Sequence, residues 1–303
     1  MVSFTGTTMR PLAEEDFEAA HALLALDEAH TTGWPSRMEL SDLRAWLSSV
    51  DLARDTWLLE EDGRLVAFGW HEGNGELGFA IGVVHPERRG RGIGSSLVET
   101  AVRRGREAGG IRLHYGALAA DAGAPALLEA HGFREVRRFF VMAIELAAPP
   151  AVPALPEGLV IETFRVEDAR PFYQALDESF RDHWEYHERA FEEWWKQRSG
   201  APDFDPSLWF LIRDGEEVAA VVRNEPKRNG GGWVDALGVR RPWRGRGLGR
   251  ALLLYTFAEF YRRGLTRVSL GVDSENPTGA TKLYESVGMA AEVEQVVFEK
   301  ALA

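Results

Sequence analysis

Two short stretches place arginines and glycines where they could hold a phosphate. Arg89-Gly90-Arg91-Gly92-Ile93-Gly94 in the first half reappears as Arg244-Gly245-Arg246-Gly247-Leu248-Gly249 in the second, followed by Arg250. Each copy starts five residues after a valine that ends an apolar, strand-like run (Val84 and Val239), and each opens a helix-patterned stretch. Glycines let the backbone approach a ligand closely, and successive amides converge at a helix N-terminus whose dipole favours an anion. Neither copy contains Gly-Lys-Ser/Thr, so neither is a Walker-type nucleotide loop. Both follow late strands of their units, which argues against a dinucleotide turn after a first strand. One copy alone would be weak evidence; two in the same setting are strong. A second chemical possibility is poorer. His183 and His187 stand four apart and would share a helix face, but no third ligand is fixed beside them, so no metal is expected.

The spacing of the two loops, 155 residues, also relates Val84 to Val239 and Arg10 to Arg165, and Gly132-Phe133 falls on Gly288-Met289 at 156. An offset of 155 to 156 residues that joins four features reads as a duplicated domain. The proline-rich stretch between the copies supports this, giving a division into 1–147, a linker at 148–157, and 158–303. In the second half an early strand at 160–164 precedes a helix-period region from 168 to 195. Strands follow at 208–213 and 218–224, joined through Asp214-Gly215, and another at 233–239 meets the loop. A helix over about 249–263 stops at Gly264, a strand covers 266–272, Asn276-Pro277 opens a short helix, and 293–300 closes as a strand. The expected class is α/β, with a central sheet and helices on its faces.

Composition sets outer limits. The 303 residues carry 35 Lys+Arg against 47 Asp+Glu, a net charge of −12, which disfavours a nucleic-acid partner and favours an amine-bearing one. There is no cysteine, so disulfides, thiolate nucleophiles and an acyl-cysteine intermediate are excluded. The opening residues lack a leader pattern and no apolar run approaches the ~18 residues of a membrane helix, so a cytoplasmic protein is expected.

The segment 239–249, its counterpart 84–94, and Asn276…Ala280…Leu283-Tyr284-Glu285…Gly288-Met289 resemble the acetyl-CoA loop and downstream helix of GNAT N-acetyltransferases. The likeness covers nearly the whole chain as two tandem units and looks like the arrangement of the mycothiol synthases. It implies two GNAT-like domains, each with a mixed, mostly antiparallel sheet flanked by helices. It also implies a bulged strand at Leu237-Gly238-Val239 splayed to admit the pantetheine arm, and a pyrophosphate cradle formed by Arg244, Gly245, Arg246, Gly247, Leu248, Gly249 and Arg250. Asn276 would contact the cofactor and Tyr284 would act as general acid, since a phenol can protonate a departing CoA thiolate. In the mycothiol synthases the same strand carries a Glu, which aligns here with Trp233. Asp235, on the same strand face as Leu237, is the expected substitute base.

The resemblance makes the halves unequal. Tyr284 falls on Leu128 and Asn276 on Ala120, so the first half keeps a possible second CoA site (Val83, Val84, Arg89, Gly90, Arg91, Gly92, Ile93, Gly94) without the acid. The expected activity is acetyl transfer from acetyl-CoA, as co-substrate and without a metal, to a small-molecule primary amine by direct attack in a ternary complex. A non-catalytic acyl-CoA sensor and a protein N-acetyltransferase are the alternatives. A monomer or homodimer is expected. The carboxylates and rings of residues 176–195 would wall the acceptor cleft.

Overall fold

The computed structural model describes residues 7–73, 75–201 and 204–302; the opening residues read above for a leader lie, through residue 6, outside that description. In chain order the first half contains β1 (Thr7–Arg10), α1 (Phe17–Thr32), α2 (Leu40–Trp46), α3 (Leu52–Asp55), β2 (Thr56–Glu61), β3 (Arg64–Glu72), β4 (Leu77–Val84), α4 (Ile93–Glu107), β5 (Arg112–Leu118), α5 (Ala124–Ala130) and β6 (Arg134–Glu145). The second half repeats the pattern: β7 (Leu159–Thr163), α6 (Ala169–Phe180), α7 (Phe191–Ser199), β8 (Phe210–Asp214), β9 (Glu217–Arg228), β10 (Gly231–Val239), α8 (Leu248–Arg262), β11 (Arg267–Asp273), α9 (Ala280–Ser286) and β12 (Ala290–Ala301). Among the described residues no helix is long and apolar enough to cross a membrane.

Turn chemistry sets the local boundaries. Gly215 takes φ +57° between β8 and β9, and Gly264 takes φ +82° after α8, the left-handed positions expected at a hairpin and a helix stop. The region 168–195 is not one helix. It breaks at 181–190, where Glu185 adopts φ +51° and the Tyr186 hydroxyl is tied back to the Asp177 carboxylate of α6. That break removes the i, i+4 helix face on which His183 and His187 would have paired. Helix α9 also starts later than Asn276-Pro277 implies. Asn276 Oδ1 accepts from Thr278 N at 2.8 Å in a turn, and Gly279 is the N-cap.

The chain forms two compact units: residues 1–139 with 293–303, and residues 140–292. Unit 1 runs β1-β2-β3-β4-β5-β12, with β4 and β5 parallel and the rest of its ladders antiparallel. Its core gathers α4 residues such as Leu97 and Ala101 with Tyr115, Leu128 and Phe298, and a second cluster lies under α1 and α2. Unit 2 runs β6-β11-β10-β9-β8-β7, again with one parallel pair, β10 with β11. Phe172, Phe210, Phe257 and Phe260 are fully buried in its core.

This corrects the expected boundaries. The C-terminal strand pairs antiparallel with β5, from Gln295↔Leu118 to Ala301↔Arg112, and so belongs to unit 1, while residues 140–147 belong to unit 2. The boundary runs through the last strand of each repeat, residues 140–145 of β6 counting with unit 2 and residues 293–301 of β12 with unit 1. Alternation along 293–300 specifies a strand but not its partner, because pairing is a long-range choice of register.

Candidate active site

The second loop is built as its residue types demand. Gly245 and Gly247 take φ +76° and +80°, Gly247 caps the 15-residue α8, and a Cβ on either would meet nothing within 4 Å. The turn therefore opens onto free space lined by amide groups at a helix N-terminus, which fits a pyrophosphate. Arg246 and Arg250 are exposed and have no ion-pair partner among the described residues. Arg244 is engaged, its Nε donating to Val239 O at 3.1 Å, so it braces the loop onto the strand end.

Strand β10 parts from its neighbour where the arm of the cofactor would enter. Its pairing with β11 covers only residues 232–234, ending at Val234↔Leu270, although β10 continues to Val239. Against β9 the register jumps from Val234↔Asn224 to Ala236↔Arg223, making Asp235 an inserted bulge residue. Leu237, Gly238 and Val239 thus run along a strand edge with no partner on the β11 side. The α9 helix closes in here, with Leu283, Val239 and Leu237 lying 3.1–3.9 Å from where a Cβ on Gly249 would stand.

Tyr284 lies on α9, 8% exposed, and burial pushes its phenol up to about 12. Its hydroxyl has no hydrogen-bond partner among the described residues. The first unit carries the same helix at Ala124–Ala130, where Leu128, 1% exposed, takes the tyrosine's place.

Asp235 does not fit the role of a free base. Arg223 donates to one of its oxygens through Nε at 2.6 Å and also through Nη2. Burial alone would raise the carboxyl pKa, but the charges of Arg223 and Arg198 and the Arg223 hydrogen bonds outweigh it and hold it below the usual range. A carboxylate so held takes up a proton poorly. Removing it should cost stability first: Asp235→Ala leaves Arg223 buried and uncompensated, and about 3 kcal/mol is the expected loss. Asp235→Leu combined with Arg223→Met should recover much of it. Chemical denaturation of the two variants checks this, and equal stability of Asp235→Ala and the parent would contradict it.

A residue that spacing alone could not promote is His183. It leaves α6 on the 181–190 turn, lies against Phe180 with ring centroids 4.2 Å apart and the rings tilted by 36°, and is half-buried. Its imidazole lies within electrostatic reach of Asp273, at the end of β11, and of Asp182 and Arg244. Burial holds it below its usual pKa, aided by Arg244 and opposed by the two carboxylates, so it is neutral near pH 7.

The first-unit loop has nearly the same conformation, with Gly90 at φ +74° and Gly92 at +84°, but its surroundings differ. Strands β4 and β5 part after Ala80↔Tyr115, and β4 has no bulge. The last paired residue on β5 is Tyr115 where unit 2 has Leu270, and its buried hydroxyl lies 2.4 Å from where a Cβ on Gly82 would stand. The space beside β4 is thus occupied by a side chain. Arg89 is spent on Asp27 at 2.6 Å and Thr31 at 3.1 Å.

Residues 169–289 match the family model "Acetyltransferase (GNAT) family" and residues 53–135 match "Acetyltransferase (GNAT) domain". The mycothiol acetyltransferase of Thermobispora bispora is 35% identical, over 80% of this chain and 82% of that one. That of Geodermatophilus obscurus is 31% identical, over 92% and 94%. Among solved structures, a GCN5-related N-acetyltransferase from Sphaerobacter thermophilus superposes with a TM-score of 0.87 at 30% identity, covering 98% of this chain and 96% of that one. A tandem GNAT protein of the clavulanic acid pathway gives 0.76 at 20% identity, over 98% and 99%, a likeness of fold. With its two loops, two splayed strand pairs and these relatives, the chain belongs to the GNAT family as a tandem of two such domains, and it is an acetyltransferase.

Proposed function

We propose that unit 2 transfers the acetyl group of acetyl-CoA to a primary amine of a small molecule by direct attack in a ternary complex, and that unit 1 performs no chemistry. The observation that carries this reading is the coincidence, in unit 2 only, of the open amide cradle, a bulged and unpaired β10 edge, and a tyrosine, Tyr284, on the helix whose Leu283 reaches Gly249 of the loop helix. The amides of α8 and the guanidinium groups of Arg246 and Arg250 hold the pyrophosphate. The free backbone edge of Leu237, Gly238 and Val239 binds the arm and polarises the thioester carbonyl.

The amine attacks the carbonyl carbon as the fraction that has lost its extra proton to solvent, and His183 takes the proton that the nitrogen sheds as the C–N bond forms. The C–S bond then breaks, the sulfur leaves with the electron pair, and the proton taken by His183 returns through solvent to the thiolate. Tyr284, protonated throughout the working range, donates a hydrogen bond to that sulfur. Complete transfer from a phenol at about 12 to a thiolate of pKa ~8.5 is uphill, so the hydroxyl acts chiefly by stabilising charge as it develops. Trp233, 8% exposed beneath Arg228, offers no carboxylate where the mycothiol synthases have one, which favours an acceptor other than theirs.

The test is release of free CoA thiol with a panel of amines, followed by His183→Gln on the best acceptor. The protein should release thiol with at least one small amine. The variant should lose about 10²-fold in kcat at pH 7–8 and also lose the acid-side fall in kcat, which the parent shows below the ordinary imidazole range because burial holds its titration down. Thiol release by no amine would overturn the reading, and an unchanged pH profile would remove His183 from it.

A further inference from the structure

The face of unit 2 that carries α6 and α7 holds an arginine that the chemistry above leaves unused. Glycines identify the two faces of β10. A Cβ on Gly232 would press into Phe260 of α8 at 2.7 Å, and one on Gly238 into Ser179 of α6 at 2.8 Å. Trp233, next after Gly232, therefore points to the α6–α7 side, and Asp235 follows it two residues later. Both stand where β10 parts from β11, Trp233 lying 3.7 Å from a Cβ position on Gly271. This side of the splay lies opposite α8 and its phosphate loop, and on the reading above it is the side left for an incoming amine.

The charges on that face do not balance. Arg223 is taken by Asp235 with two hydrogen bonds. Arg228 is taken by Glu225 at 3.4 Å and covers the Trp233 ring at 4.4 Å. Arg198, from α7, lies in the field of Arg223, Asp235, Glu225 and Arg189, yet it has no ion pair among the described residues, and its Nε is buried with no hydrogen-bond partner. Arg198 as a whole is half-buried, but a guanidinium nitrogen withdrawn from water without a partner is costly, and an anion reaching the fork would complete it.

We propose that Arg198 is the anion-binding group of the acceptor site, and that the amine acetylated by unit 2 carries a carboxylate. The inference rests on the amine-acetylating reading above. One guanidinium fork matches one planar, singly charged carboxylate. A phosphate dianion fits less well, because Asp235 and Glu225 stand close to Arg198 and would repel its second charge. The acceptor class is then that of amino acids and amino-acid-derived amines with a free acid group.

The experiment pairs each amino acid of a panel with its carboxamide, a substrate of the same shape without the charge. Thiol release should favour the acid over the carboxamide by about 10- to 100-fold in kcat/KM, the worth of a charge-assisted hydrogen bond. Arg198→Met should erase that preference and Arg198→Lys should keep part of it. Calorimetry on the chain without CoA gives an independent reading: the acid should bind the parent and not Arg198→Met. Thiol release that treats acid and carboxamide alike, or a preference untouched by Arg198→Met, overturns this inference and leaves the amine acetyltransferase reading standing. Acid binding that depends on Arg198, without thiol release from any amine, supports the anion site and overturns the reading of the reaction. If no acid binds the parent, the site is overturned.

Discussion

Replacing Tyr284 by Phe should lower kcat by about 10²- to 10⁴-fold while the affinity for CoA changes by less than about threefold. The ring stays, so the packing of α9 on Leu237 and Val239 stays with it. The hydroxyl has no hydrogen-bond partner among the described residues, and its loss strands no protein group. The melting temperature should therefore hold, which separates a chemical role from a structural one. The pH dependence gives a second check. A phenol at about 12 remains protonated across the usual assay range, so the parent should show no decline between pH 8 and 10 that Tyr284→Phe removes. A Phe variant with near-parental kcat on a good acceptor would reduce Tyr284 to a packing residue.

The second large effect separates the two loops. Gly247→Glu puts a carboxylate into the open space above the α8 N-terminus and should abolish measurable CoA binding and activity. Part of that loss is conformational, because Gly247 sits at φ +80°, where a side chain costs roughly 1–2 kcal/mol. Gly247→Asn, a residue that tolerates this conformation, controls for it and should retain most of the affinity. Gly92→Glu makes the same change in unit 1 at φ +84°. With Tyr115 lying across the space beside Gly82 and Leu128 in the tyrosine's place, it should leave kcat within about twofold. A bound cofactor adds RT ln(1 + [L]/Kd) to stability, so CoA should raise the melting temperature of Gly92→Glu as much as that of the parent. If Gly92→Glu abolishes turnover and Gly247→Glu spares it, the active unit is the first one.

Much of the local structure was legible because its signals are short-range. The Arg/Gly loop demands left-handed glycines and a helix N-terminus, and Gly245, Gly247, Gly90 and Gly92 have that backbone. The repeat predicted the equivalence of Leu128 and Tyr284, and helices at Ala124–Ala130 and Ala280–Ser286 bear it out at the same offset. The helix boundary near Asn276 was misread because Asn-Pro serves a turn as well as a cap. Only the bond from Thr278 N to Asn276 Oδ1 distinguishes the two.

What the residues alone determined is the family, the duplication and the different side chains at matching positions of the two halves, since each depends on which side chain stands at a given offset. The tertiary structure decided matters of partnership. Asp235 is a carboxylate on the right strand, but the bulge and the cross-strand position of Arg223 turn it into half of an ion pair. His183 looked like an ordinary helical histidine until the chain broke at 181–190 and carried it to Asp273, ninety residues further on. Strand β12 reads as the end of the second domain and completes the first. In each case the sequence specifies the group, while its protonation, accessibility or pairing depends on residues distant in the chain, which only folding brings within reach.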